Sequence, residues 1–66
     1  EHVSVNIYNL EGRLVKTLID QEMRSGQHVV RWDGNNQIGT KVATGMYIYQ
    51  LKTKSMVLHR RMTFVK

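Results

Sequence analysis

The chain has 66 residues, enough for one small domain but too few to bury a large core. It has no cysteine, so no disulfide holds it together, and no apolar run approaches the roughly 18 residues that a membrane span needs. It shows no signal peptide and does not begin with methionine. We therefore expect residues 1–66 to be a single domain that is a fragment of a longer protein, with its native start upstream.

The net charge of +5 is unevenly distributed along the chain. The last acidic residue is Asp33, whereas six of the ten basic residues follow it. A basic half can attract nucleic acid, anionic lipid or an acidic protein surface. It can also be a solvated sheet face whose lysines discourage edge pairing. We favour the solvated face and predict no nucleic-acid partner.

The first third of the chain predicts a β-hairpin. Strict alternation over Val3–Tyr8 is typical of a half-buried strand. A turn is expected at 9–12, where Gly12 is free to adopt positive φ. Arg13–Ile19 is predicted as the second strand. The spacing of its apolar residues also suits a short helix, but its β-branched residues and the preceding glycine favour a strand.

The middle of the chain predicts a turn followed by a third strand. Residues 20–26 are polar and end in Ser25-Gly26, a turn signal. Gln27–Trp32 alternates, and its predicted core face carries His28, Val30 and Trp32.

The remainder predicts a loop and two more strands. The loop, 33–40, is rich in Gly, Asn and Gln. Met46–Thr53 and Met56–Val65 are expected to pair antiparallel around a turn at Lys54-Ser55, with Tyr47, Tyr49 and Leu51 on one face of the first. Five or six strands with turns about every eight to twelve residues and no helix predict an all-β sandwich.

No catalytic or metal-binding constellation is recognisable. The histidines lack zinc-like spacing, and no serine lies in a nucleophile-elbow motif; these residues are His2, His28, His59, Ser4, Ser25 and Ser55. His28 is predicted to be a packed core or rim histidine. We expect no enzymatic activity, no metal and no cofactor.

Two further functions are open for the segment that begins at Trp32. Oxygen-bearing side chains alternate over 33–37 as in a calcium loop, but the EF-hand pattern requires Gly and Glu where this chain has Ile38 and Thr44. Asp33 is therefore expected to bond its own turn, with Gly34 supplying the unusual φ. Trp32 could stack on sugars, a less favoured carbohydrate-binding alternative, but it is expected to fill the core.

Six short blocks in a fixed order resemble a known pair of sister families. The blocks are Val5-x-Ile7-Tyr8-Asn9, Gly12-Arg13-x-Val15-x-x-Leu18, Gly26-x-His28-x-Val30-x-Trp32-Asp33-Gly34, Gly39-x-x-Val42-Ala43-Thr44, Gly45-Met46-Tyr47-Ile48-Tyr49-x-Leu51 and Arg61-Met62-Thr63-Phe64-Val65-Lys66. The chain resembles the type A C-terminal sorting domain of type IX secretion cargo. It equally resembles the Ig-like domain of the flagellar hook-capping protein FlgD.

The resemblance implies an Ig-like antiparallel β-sandwich without a catalytic role, with residues 1–66 as the C-terminal domain of a larger secreted protein. The sorting family directs a larger cargo through the periplasm and across the outer membrane to the cell surface, so the implied partners are the export machinery and an N-terminal cargo domain. The implied recognition residues are Gly45, Tyr47, Arg61, Met62, Phe64, Val65 and Lys66. The implied structural residues are Gly12, Trp32, Asp33, Gly34 and Gly39. The alternative is a structural Ig-like module, as in a flagellar hook cap or the spacer of an extracellular enzyme.

The chain departs from the family pattern at its beginning. Members carry a first strand before the one at Val3–Tyr8, and this chain does not. We therefore expect a sandwich that lacks its first strand. Its open edge would invite strand pairing with another copy of the chain.

Overall fold

A computed structural model of the chain describes residues 1–24, 26 and 29–65. Within these residues the protein is all-β, and its four strands form one antiparallel sheet in the order β2-β1-β3-β4. The strands are β1 (His2–Asn9), β2 (Leu14–Glu22), β3 (Gly45–Lys52) and β4 (Val57–Phe64). None of the described residues forms a helix long and apolar enough to cross a membrane.

The predicted hairpin between β1 and β2 is confirmed. Asn9 sets its turn, because Asn9 Oδ1 accepts hydrogen bonds from the backbone N–H groups of Glu11 and Arg13 at 3.0 and 2.9 Å. Gly12 has φ +85°, the left-handed conformation that the turn requires. Its N–H donates to the carbonyl of Asn9 at 3.0 Å.

A β-bulge explains why β2 looked partly helical in the sequence. Val5 pairs with Ile19, but the next residue of β1 pairs with Thr17, so Leu18 is an extra residue in the ladder. The bulge breaks the two-residue alternation, and both Leu18 and Ile19 line the same apolar groove. The two adjacent apolar residues therefore lie on the same face of the strand.

The second hairpin is regular. β3 and β4 pair without a register shift from Gly45↔Phe64 to Lys52↔Val57. The predicted turn at Lys54-Ser55 is confirmed, and Thr53 N donates to Met56 O across it at 2.8 Å. Residues of β3 and β4 that pair across the ladder lie on the same face of the sheet.

The core lies on one face of this sheet. Its buried apolar side chains are Val5 and Ile7 of β1 and Tyr47 of β3. Met46, Ile48 and Gln50 alternate with the core positions, as predicted, and point to the opposite face.

The predicted third strand is wrong over the residues that can be compared. Val29–Trp32 has no strand pairing, and Val29 is 84% exposed. Alternation alone does not make a strand, because a strand also needs a neighbour to complete its hydrogen bonds. Ser25, Gln27 and His28, and with them the predicted core histidine, lie outside the described residues.

Irregular backbone therefore covers part of the core face. The described part of this backbone includes a small loop closed by an isolated antiparallel bridge between Asn35 and Lys41. The described part of the chain is an Ig-like β-sandwich fragment, with one full sheet and a partial second layer.

Candidate functional site

An aromatic cluster joins the irregular segment to the sheet. The Trp32 ring meets Tyr47 edge-on at a centroid distance of 5.2 Å and lies against Phe64 at 5.1 Å. Trp32 and Tyr47 also donate hydrogen bonds to backbone carbonyls. Trp32 Nε1 donates to Asn35 O at 2.9 Å, and Tyr47 Oη donates to Ala43 O at 2.6 Å. Trp32 is half-buried, so it lies at the rim of the core and does not fill its centre.

Gly34 is the residue that lets the loop approach Phe64. It is buried, has φ +82°, and a Cβ added to it would overlap the Phe64 ring. Two independent reasons therefore favour glycine here: the backbone conformation and the lack of space. A side chain at position 34 would be strained by its backbone conformation and would overlap Phe64, which accounts for glycine at this position.

Side chains of the loop hold its own backbone. Asp33 Oδ1 accepts from Asn35 N at 3.0 Å, and Asp33 Oδ2 accepts from Asn35 Nδ2 at 3.2 Å. Asn36 Oδ1 accepts from the N–H groups of Ile38 and Thr40 at 3.2 and 2.9 Å. Gly39 completes the turn with φ +89°. The predicted turn role of Asp33 is confirmed.

The loop also attaches to the edge of β2 through Gln37. Gln37 N donates to Val15 O at 3.0 Å, and Thr17 N donates to Gln37 Oε1 at 2.9 Å. One residue thus satisfies a carbonyl and an N–H that would otherwise be unpaired at a sheet edge. No sequence pattern indicates this contact, because a lone glutamine in a polar loop has many ordinary roles.

An open apolar groove of about 760 Å³ runs along the core face of the sheet. Aliphatic side chains from the sheet form most of its floor, and the half-buried Trp32 and Phe64 lie at one end. Its apolar lining includes Val3, Leu18, Ile19, Val30, Leu51 and Met62. Such a surface can bury apolar side chains from another segment, since its described lining is mainly apolar.

The ion pairs found among the described residues lie at one corner of the sheet. His2 Nε2 is 2.5 Å from Asp20 Oδ1, and the N-terminal ammonium is 3.7 Å from Glu22 Oε2. These side chains are about half exposed or more, so water screens their charges. The described residues contain no group of three or more His, Cys, Asp or Glu placed to hold a metal ion.

Four of the predicted recognition residues are buried or half-buried on the core face, and two others are exposed. Tyr47 and Met62 pair across the β3–β4 ladder on the core face, and so do Gly45 and Phe64. Arg61 and Val65 are exposed. Lys66 lies outside the described residues. The structure thus places four of these residues where they hold the fold together.

These features define the class of the protein as an Ig-like β-sandwich module with an apolar groove. The profile of the FlgD Ig-like domain matches residues 1–56. The chain belongs to the FlgD Ig-like domain family.

Two curated relatives are similar to part of the chain. They are the basal-body rod modification proteins FlgD of Salmonella typhimurium (strain LT2) and Salmonella typhi. Each is 40% identical over 47 residues, which is 71% of this chain and 20% of the relative. The chain therefore spans about a fifth of the length of these relatives. No solved structure matches the chain.

Proposed function

We propose that this domain is a non-catalytic structural module in a protein assembly of the flagellar rod or hook-cap kind. It would pack against a larger parent protein outside the cytoplasm. The family match over most of the chain supports this proposal. The matching relatives are described as basal-body rod modification proteins.

The use of the polar side chains is the observation that carries the proposal. In the 33–42 loop, the side-chain oxygens of Asp33, Asn36 and Gln37 accept hydrogen bonds from backbone N–H groups. They stiffen a scaffold, and the accessible surface beside them is an apolar groove. A stiff scaffold with an apolar surface suits packing against another protein segment.

A domain exchange in Salmonella typhimurium tests this function. The region of its rod modification protein that matches this chain is replaced by the corresponding residues of this chain, and swimming motility and assembled hooks are measured. We expect the chimera to restore assembly, and the same chimera carrying Gly34→Val to fail. A stably expressed chimera that assembles no hooks would contradict the proposal.

A sorting function is the second candidate, and the accessibility of β4 favours it. This strand lies at the edge of the sheet and exposes Arg61, so a receptor of the export machinery could reach it. The test is to fuse the chain to the C-terminus of a reporter in a bacterium with type IX secretion. Display of the reporter at the cell surface, lost with Arg61→Glu, would support sorting. Periplasmic retention of the unaltered fusion would exclude it.

A further inference from the structure

We propose that the free edge of β4 is a docking site for an extended acidic segment of another protein, which adds to the sheet as a further strand. This goes beyond the structural role, because it assigns a surface and a partner chemistry. It rests on three features of the described residues: the direction of the backbone groups of β4, the charges beside them, and the contrast with the β2 edge.

The hydrogen bond across the Lys54-Ser55 turn fixes which groups of β4 point outward. Thr53 N donates to Met56 O, so this pair is a hydrogen-bonded one, and such pairs alternate along an antiparallel ladder. With the unbroken register of β3 and β4, the even-numbered residues of β4 bond to β3. The outward N–H and C=O groups belong to Val57, His59, Arg61 and Thr63.

One side-chain contact agrees with this assignment. Arg60 Nη1 donates to His59 O at 2.9 Å, so that carbonyl is directed away from β3. No described backbone hydrogen bond outside the β3–β4 ladder involves residues 57–64. Among the described residues, the outward groups of β4 therefore have no backbone partner, and the Arg60 guanidinium is bonded to the His59 carbonyl.

The two edges of the sheet differ. At β2, Gln37 takes up the outward groups of Val15 and Thr17, and the bulge distorts the strand. β4 has no bulge against β3 and no such cover among the described residues. A long, regular edge is the kind that accepts another strand.

Charge selects the incoming strand. Arg60 and Arg61 are neighbours in β4, so their side chains emerge on opposite faces of the sheet. The described ion pairs lie at the opposite corner, around His2, and leave both guanidinium groups without a carboxylate. An incoming strand with two consecutive acidic residues at this level places one carboxylate beside each arginine.

A second copy of the chain fits this edge poorly. Antiparallel pairing of β4 with itself, in the registers that use most of its length, places Arg60 opposite Arg60 or Arg61 opposite Arg61, and such like charges repel. The acidic end of β2 already has a partner, since Asp20 and Glu22 both contact the His2 ring. Phosphates of a nucleic acid can bind the arginines, but a nucleic acid lacks the alternating backbone N–H and C=O groups that continue a β-ladder along a strand edge.

Amide exchange of the full chain tests the proposal. The probe is an eight-residue capped peptide, Thr-Val-Thr-Glu-Glu-Thr-Val-Thr, and its matched control has Lys-Lys at the centre. We expect the glutamate peptide to slow exchange of the outward amides of His59, Arg61 and Thr63 by about tenfold. The lysine peptide should have no effect. In the double variant Arg60→Glu/Arg61→Glu the preference should reverse to the lysine peptide.

A backbone variant separates strand addition from charge attraction. Thr63→Pro removes an outward N–H without removing a bond to β3, so it should abolish binding of the glutamate peptide. Thr63→Ala keeps the N–H and should retain binding. Trp32 fluorescence reports whether each variant is folded. If the proline variant is unfolded, the charge-reversed double variant alone tests the proposal.

Three results would overturn the proposal. One is equal protection by both peptides. Another is protection of the same amides without peptide, with a concentration-dependent dimer in sedimentation. The third is binding of a single-stranded oligonucleotide with no change at the outward amides when the glutamate peptide is added. None of these results bears on the assembly function, which the domain exchange tests separately.

Discussion

At the scale of single residues, the contact between Gly34 and Phe64 ties the loop to the last strand. The ring of Phe64 occupies the space that a side chain at position 34 would need. The sequence predicted that Gly34 would have an unusual φ, because an Asp-Gly pair is a turn signal. It did not predict the contact with Phe64, because that residue is thirty positions away and nothing local specifies it.

Gly34→Ala tests this contact against a matched control, Gly39→Ala. Both glycines have positive φ, +82° and +89°, but an added Cβ at Gly39 meets nothing within 4 Å. Gly39→Ala should cost about 1 kcal/mol of unfolding free energy for backbone strain alone. Gly34→Ala should cost roughly 1–3 kcal/mol more, because the ring must move. Urea denaturation followed by circular dichroism measures both, and equal losses would show that Phe64 does not fill this space.

At the scale of elements, the strands were predictable where alternation coincided with a hairpin partner. β1, β3 and β4 lie within a residue or two of their predicted bounds. β2 continues to Glu22, three residues beyond the prediction, because pairing with β1 extends through its polar end. Gln27–Trp32 had equally good alternation, but its described part, Val29–Trp32, has no pairing partner. The local alternation of residues does not show whether a segment has a neighbouring strand to pair with.

The contact of Gln37 with the edge of β2 is not predictable from the sequence, and substitution of Gln37 tests it. Gln37→Ala removes the acceptor for Thr17 N but keeps the backbone bond to Val15. We expect a loss of about 1 kcal/mol in unfolding free energy and faster exchange of the Thr17 amide. Gln37→Glu keeps an acceptor oxygen at this position and should preserve the protection. Unchanged Thr17 exchange in Gln37→Ala would mean that another group covers this edge.

At the scale of the whole molecule, the domain is an asymmetric sheet. One face carries the core and an open apolar groove, and the loop is bonded to the β2 edge. The β4 edge has no backbone partner within the part of the chain that the structure describes. The sequence predicted the all-β class and the uneven charge. The groove could not be located from sequence, because its lining comes from all four strands and from Trp32, and their positions relative to one another depend on the folded sheet.

β4 is a regular edge strand that is bonded to β3 on one side and has no backbone partner on the other side among the described residues. Residue-resolved amide exchange of the unliganded full chain measures this directly. We expect slow exchange at Leu58, Arg60 and Met62, fast exchange at His59, Arg61 and Thr63, and protection of Thr17 at the opposite edge. Uniformly slow or uniformly fast exchange along β4 would contradict it.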